Sequence, residues 1–338
     1  MARTLSRVLI YGQDGSCLDE IKVTTVRSWM INDLATCEFA LPFTDNKCTS
    51  DLLAFGNRVL VQSDNLPDWV GYISLPRKWV TQGAVGVTAT SMEGILSTRN
   101  SKAFSGTVQG VFYDIFSYAN SKGDTGITAI ANVSSVTSVG TFGSPSQSLY
   151  QTFMDVLKNT YTEFSVLGTI DTSGRLSVSI ELYSTLFYDY RNFALEEGVN
   201  IEAQSNYSLI EQGPLVNYVD VFFEGSSYAA ASYGDSLSQS SNGLFETTLT
   251  IKSGSNANQV AIDYVNSHAW PSKSWVLAAI NINDTFSYMR PGAVTYLITT
   301  RSGFGGQGIG TDVVVRITGM SYSDITGKLI LIAEEYKL

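Results

Sequence analysis

Short stretches of this chain alternate apolar and polar residues with a period of two, from one end to the other. "ATCEFALP" turns Ala35, Cys37, Phe39 and Leu41 one way. "VGVTAT" does the same with Val85, Val87 and Ala89, and "RLSVSIEL" sets Leu176, Val178, Ile180 and Leu182 against Ser177, Ser179 and Glu181. "LFETTLTIKSG", "DVVVRITGM" and "KLILIAEEY" continue the pattern. Successive side chains on a strand point to opposite faces, so these stretches predict half-buried antiparallel strands. A chain patterned this way must build extended sheets.

Three segments switch to helical spacing. In "TVQGVFYDIFSYAN", Val108, Val111, Phe112 and Ile115 share a face. In "SPSQSLYQTFMDVLKN", Leu149, Phe153, Val156 and Leu157 share one behind Ser146 as the expected cap. In "NANQVAIDYVNSHAW", Ala261, Tyr264, Val265 and His268 do so, with Pro271 as the stop. All three predict amphipathic helices. The Ser- and Gly-rich run 228–243 is expected to be a loose loop. The predicted organisation is therefore a β-region over 1–98, an α/β insertion over 99–198, and a second β-region over 199–338 with an inserted helix at about 255–270.

Composition narrows the function. Only 15% of the 338 residues are charged, against a usual share of about a quarter, so Ser, Thr, Asn, Gly and Tyr must cover much of the surface. The net charge is −10, and no cluster of Lys and Arg offers the footprint that tight binding to a phosphate backbone requires. The three cysteines, Cys17, Cys37 and Cys48, are odd in number and lack CxxC spacing. That argues against a disulfide framework or a zinc site. The parity of Cys37 points it into a core. No apolar run approaches the roughly 18 residues of a spanning helix, and "MARTLSRVLIYG" lacks the apolar region of a signal peptide.

Two parts of the chain echo each other. "NRVLVQ" leads through a turn to "WVGYISLPRKWVTQGAVGVTATSMEG", and "GAVTYLITT" leads through a Gly-rich loop to "VVVRITGMSYSDITGKLILIAEEY". Each is a strand, a loop, a longer strand, a Gly turn and a closing strand. The shared order suggests two related β-barrels.

Together with "VRSWMINDLATCEFALPF" (Val26–Phe43), "MEGILSTR" (Met92–Arg99) and "LIEQGPLVNYVDVFFEG" (Leu209–Gly225), these segments carry a resemblance across nearly the whole chain. The sequence resembles the baseplate or tail-tip hub proteins of tailed phages, whose fold is shared with the base of type VI secretion spikes. The resemblance implies a β-rich α+β chain with two tube-like antiparallel β-barrels and α/β insertions, closing as a homotrimer into a pseudo-sixfold ring. It implies a structural virion protein at the distal end of the tail, assembled in the host cytoplasm, that adapts a sixfold tube to a threefold spike or fibre. The implied partners are the tail tube or distal tail protein, the tape-measure C-terminus and a central spike or fibre. DNA would pass the lumen without specific binding, helped by the acidic balance. No cofactor is implied. The chain ends at Leu338, after the last predicted strand, so the spike or fibre is expected to be a separate protein.

No stretch carries a recognisable catalytic motif. His268, the only histidine, lies on the helix stripe with Ala261, Tyr264 and Val265, and no partnered nucleophile is visible. The pairs Glu196–Glu197 and Glu334–Glu335 are sequence neighbours, so on strands they face opposite ways and cannot flank a glycosidic bond. The expectation is a non-enzyme, with a glycan-binding β-sandwich adhesin as the alternative and a cell-wall hydrolase behind it. "GFGGQGIG" (Gly303–Gly310) has the glycines of a phosphate loop but lies between strands, outside the βαβ context that chemistry needs. Its expected role is an inter-ring contact through Gly303, Phe304, Gly305 and Gly306. Trp69 and Trp79 are expected to bracket one strand and pack in a core or interface.

Overall fold

The computed structural model describes residues 5–336 apart from 76–77, 81–82, 134–137, 203–207, 213–214, 271, 283 and 300–310. The front region comprises β1 (Ser6–Tyr11), β2 (Cys17–Val23), β3 (Thr25–Met30), β4 (Thr36–Pro42), β5 (Arg58–Gln62), β6 (Trp69–Ile73), β7 (Lys78–Val80) and β8 (Ala84–Ser91). A 3-10 turn, Met92–Thr98, leads to β9 (Phe104–Thr107), α1 (Val108–Ser121), β10 (Ile127–Ala131), β11 (Ser138–Phe142), α2 (Leu149–Thr160), β12 (Glu163–Ile170) and β13 (Leu176–Tyr183). The remainder holds β14 (Tyr188–Glu196), β15 (Ser208–Gln212), β16 (Tyr218–Phe223), β17 (Ala229–Gly234), α3 (Ser236–Asn242), β18 (Glu246–Ile251) and α4 (Ala257–His268). It closes with β19 (Ser272–Ala279), β20 (Ala293–Thr299), β21 (Thr311–Ser323) and β22 (Lys328–Glu335).

The chain is β-rich α+β, as expected. The two expected barrels, however, are not separate: front and rear strands join one 14-stranded sheet, almost wholly antiparallel. Its main path runs β15-β19-β22-β21-β3-β4-β8-β6-β5-β1-β2. The joint is the antiparallel pair β3–β21, in register from Val26↔Ser323 to Met30↔Gly319. An unpaired strand edge is a row of open donors and acceptors, and here each region satisfies the other's edge. In the front half the hydrogen-bonded path runs from β3 round to β2, and only Thr24 separates the two strands in the chain. In each half three strands follow one another antiparallel, β5-β6-β8 and β20-β21-β22.

Parity places the core. Val8, Ile10, Cys37, Phe39, Leu41, Val59, Val61, Trp69, Val85, Val87 and Ala89 pack together with rear residues such as Trp275, Leu277, Val315, Ile317 and Leu331. The alternate residues of β1, β5 and β6, namely Leu9, Tyr11, Leu60, Val70 and Tyr72, are buried too. They belong to a second core, built with α1, α2 and the β10-β13-β12 sheet. These three strands are therefore apolar on both faces, which is why the run around Arg58 to Ile73 lacks clean alternation. The stripe Val108, Val111, Phe112, Ile115 and the stripe Leu149, Phe153, Val156, Leu157 both face this second core.

A third small core joins β17-β16-β18 to α4, through Val219, Val221, Ala231, Ile251, Ala261 and Val265. Here the run 228–243 departs from its expected looseness. It forms β17, paired with β16, and α3, whose cap Asp235 accepts from the amides of Leu237 and Ser238 at 2.9 Å. Strand pairing and capping need no apolar side chains, so composition hid both elements. The cap of α2 is Ser148, which accepts from the Gln151 amide at 3.1 Å; Ser146 instead shares a hydrogen bond with Ser144. Trp69 and Trp79 stand on different strands, because β6 ends at Ile73 and β7 pairs separately with β8. Trp69 is core.

Candidate functional site

Three clamps position the parts of the molecule around the β3–β21 joint. The first is within it. Arg27 and Asp324 are each 1% exposed, with Nη2 3.9 Å from Oδ1. The Arg27 guanidinium lies 5.5 Å from the Trp29 ring and 5.4 Å from the Tyr322 ring, and Nη1 donates to Ser6 Oγ at 3.0 Å. Asp324 Oδ2 accepts from the Thr25 amide at 2.8 Å and its hydroxyl at 2.9 Å. Burial lowers the Arg27 pKa and Asp324 opposes that shift. The flanking backbone bonds are Ile31 N to Thr318 O at 3.0 Å and Asp324 N to Thr25 O at 2.9 Å.

The second clamp ties β12 to β21. Arg316 Nη1 donates to Glu163 Oε1 at 2.9 Å, and Nη2 donates both to Glu163 Oε2 and to the Leu186 carbonyl. Glu163 Oε2 also accepts the Leu186 amide at 2.6 Å. The third ties β12 to the β3–β4 turn. Asn32, at φ 52°, donates from Nδ2 to the Thr162 carbonyl at 2.9 Å and accepts the Phe164 amide at 3.2 Å. Asn tolerates this left-handed backbone better than most residues.

The residues weighed for catalysis are not brought together. His268 Nδ1 meets the Tyr264 carbonyl at 2.8 Å and Ser267 Oγ at 2.9 Å, and its ring stacks on Tyr264 at 4.2 Å. It finishes the last turn of α4. Glu196 lies at the end of β14 beside Ile298, whereas Glu334 lies on β22 opposite Ser274 and Arg316. Among the described residues, no three of His, Cys, Asp and Glu gather as metal ligands, and no helix is long and apolar enough to cross a membrane. The expected contact residues Gly303, Phe304, Gly305 and Gly306 lie outside the described residues. One end of the sheet is open: β15 pairs with β19 alone among the described residues.

The arrangement of the sheet and its insertions has counterparts among solved structures. A tail protein from Neisseria meningitidis MC58 superimposes with a TM-score of 0.63, covering 98% of this chain and 96% of that one at 13% identity. Prophage tail protein gp18 from Listeria monocytogenes EGD-e gives 0.60, covering 98% and 94% at 11% identity. The chain has the phage tail-protein fold. That fold also includes the E. coli c3393 protein, a type VI secretion component similar in structure to the T4 tail proteins gp27 and gp5. It matches with a TM-score of 0.54 over 93% of this chain and 73% of that one, at 12% identity. No protein-family model matches the sequence, and no curated protein does.

Within this tail-protein fold, the residues that hold the parts together were overlooked in the sequence, though one carried a signal. Arg27 shares its parity with Thr25 and Trp29, so an arginine stood at an inward position and needed a buried partner. Asp324 follows β21, nearly 300 positions away, and nothing local marks it.

Proposed function

We propose that this chain is a structural virion protein: a tail-tip or baseplate hub that adapts the sixfold tail tube to a threefold spike or fibre. The observation that carries this reading is the tail-protein fold matched over 98% of the chain. It is supported by the likeness to a type VI secretion component related in structure to gp27 and gp5, and by the edge of β15 that has no second partner among the described residues. In this reading 1–98 and 199–338 supply two tube-like wall segments per chain, and 99–198 is the insertion between them. Three chains then present six segments to the tube. The neighbours are the tail tube or distal tail protein, the tape-measure C-terminus and a central spike or fibre. DNA leaves through the lumen, whose wall the acidic composition keeps from binding phosphate. The role is mechanical, not enzymatic.

The test is a reconstruction of the assembled particle with this chain located in it, together with light scattering of the chain alone and with tail-tube protein. Three copies around the axis at the distal end of the tail support the proposal. A position elsewhere, or a lumen wall with net positive charge, overturns it. We assign the contact to the neighbouring ring to Gly303, Phe304, Gly305 and Gly306. Unchanged ring stacking after deletion of 304–308 would refute that assignment.

A further inference from the structure

A cavity of about 130 Å³ opens where the β3–β4 turn, the start of β6 and the first half of β12 meet. Trp29, Trp69 and Phe164 are among its walls. Two exposed carboxylates, Asp33 and Asp68, line it as well, and so does Glu93, which is 1% exposed. Glu93 Oε1 accepts the hydroxyl of Ser91, while the Ser91 oxygen accepts the Ala35 amide at 2.9 Å. Glu93 Oε2 has no protein partner. Neither ionisation state resolves this: ionised, the oxygen lacks a donor, and protonated, its hydroxyl lacks an acceptor. A ligand donor meets the need of the ionised form.

An ammonium group is such a donor. We propose that this cavity binds an organic ammonium group, its alkyl stem held by the aromatic rings and its charge by Asp33, Asp68 and Glu93. The size fits, since an apolar cavity of about 150 Å³ takes a benzene-sized guest. The walls are chemically suited, because aromatic faces and carboxylates both attract an alkylammonium. They are also held in place. Trp69 Nε1 donates to the Ser28 carbonyl at 3.0 Å and Trp29 Nε1 to the Asp68 carbonyl at 3.5 Å. The Asn32 and Arg316–Glu163 clamps fix β12. A preformed site loses little freedom on binding. One cation, Arg290, also lines the cavity, with its guanidinium 5.1 Å from the Tyr188 ring and 5.9 Å from Tyr190. Three carboxylates against one guanidinium leave the balance acidic.

The groups that act on Glu93 are the Ser91 hydroxyl, Asp33 in the β3–β4 turn, Tyr72 on β6 and Tyr150 on α2. Burial pushes the Glu93 carboxyl up to about 7. A bound ammonium favours the carboxylate, so binding near neutral pH releases part of a proton. The proposal stands apart from ring assembly, since the cavity lies within one chain.

The experiment is calorimetric titration of the whole chain with n-butylammonium, with n-butanol and n-butyrate as controls, in buffers of different ionisation heat. Saturable butylammonium binding with proton release, and no comparable binding of the controls, is expected. Glu93→Gln should weaken it about tenfold or more. Asp68→Asn, at an exposed position, is the second variant and should weaken it without touching the fold. Equal binding of butanol, no saturable binding of butylammonium, or unchanged affinity in both variants overturns the proposal. Putrescine and Nα-acetyl-lysine methylamide then separate the sources. A preference for the first points to a free diamine, and for the second to a lysine side chain of a partner protein.

Discussion

Arg27 and Asp324 meet at 3.9 Å across the joint of the front and rear β-regions, both nearly inaccessible to solvent. The pair is not a simple gain in stability. Removing two charges from water is costly, and their attraction repays that only with good geometry and further hydrogen bonds. Asp324 has those bonds, from Thr25, whereas Nε and Nη2 of Arg27 have none. The pair's value lies in register. A one-residue slip of β3 on β21 would leave a buried charge unmatched and turn Trp29 and Tyr322 to the wrong face.

Asp324→Ala should therefore destabilise the chain by about 3–5 kcal/mol, because it strands a buried guanidinium. Arg27→Met combined with Asp324→Asn should recover most of that loss, since the asparagine oxygen still accepts from Thr25. Urea unfolding of Arg27→Met, Asp324→Asn and the double variant measures the coupling. Additive effects would show that the pair is energetically irrelevant.

Glu93 gives stability a pH dependence of unusual sign for a carboxylate. Its folded pKa, about 7, lies above its ordinary 4.5, and burial is the main cause. The folded state thus holds a proton that the unfolded chain releases. The contribution is complete below about pH 4.5, falls between 4.5 and 7, and has gone above 7. The full amplitude is roughly 3 kcal/mol. Glu93→Gln should flatten this slope and be the more stable protein at pH 8. Hydrogen bonds hold Asp14, Asp19, Asp171 and Asp189 below the usual range, so they act oppositely and only at more acid pH. Chemical denaturation from pH 5 to 8 of the parent and Glu93→Gln separates the Glu93 effect from that of Asp68, whose carboxyl is also pushed up by burial.

Glu163→Ala should cost about 2–3 kcal/mol, since it removes the acceptor of the Leu186 amide and leaves the Arg316 guanidinium with the Leu186 carbonyl alone among the described residues. The loss should be local. Hydrogen exchange should rise in β12 and around Leu186 before it rises in β5 or β8. Uniform acceleration across the chain would show that the clamp does not act on this part alone.

Gly71→Ala tests the tightest approach in the front sheet. A Cβ at Gly71 would lie 2.2 Å from the Thr90 carbonyl oxygen and 2.4 Å from the Trp69 ring. The obstacle is backbone on the paired strand β8, which cannot rotate away. A loss of about 3 kcal/mol or more is expected, read from the urea midpoint. A neutral result would mean that β6 and β8 separate more easily than their pairing suggests.

The sequence by itself determined which face is buried wherever a strand alternates cleanly. Cys37, Phe39, Leu41, Val85 and Val87 occupy the core as their parity predicts, and the stripes of α1 and α2 do as well, because side-chain direction follows backbone geometry within a few residues. It also carried the β-rich character of the fold. Only the tertiary structure decided which edges join. The β3–β21 pairing, the folding of 228–243 into β17 and α3, and the placement of Trp69 and Trp79 on different strands rest on backbone donors and acceptors that every residue type shares. Glu93 escaped notice for a related reason: its unmet hydrogen-bonding capacity is set by neighbours from β6, α2 and the β3–β4 turn, and a lone Glu between Met92 and Gly94 reports none of them.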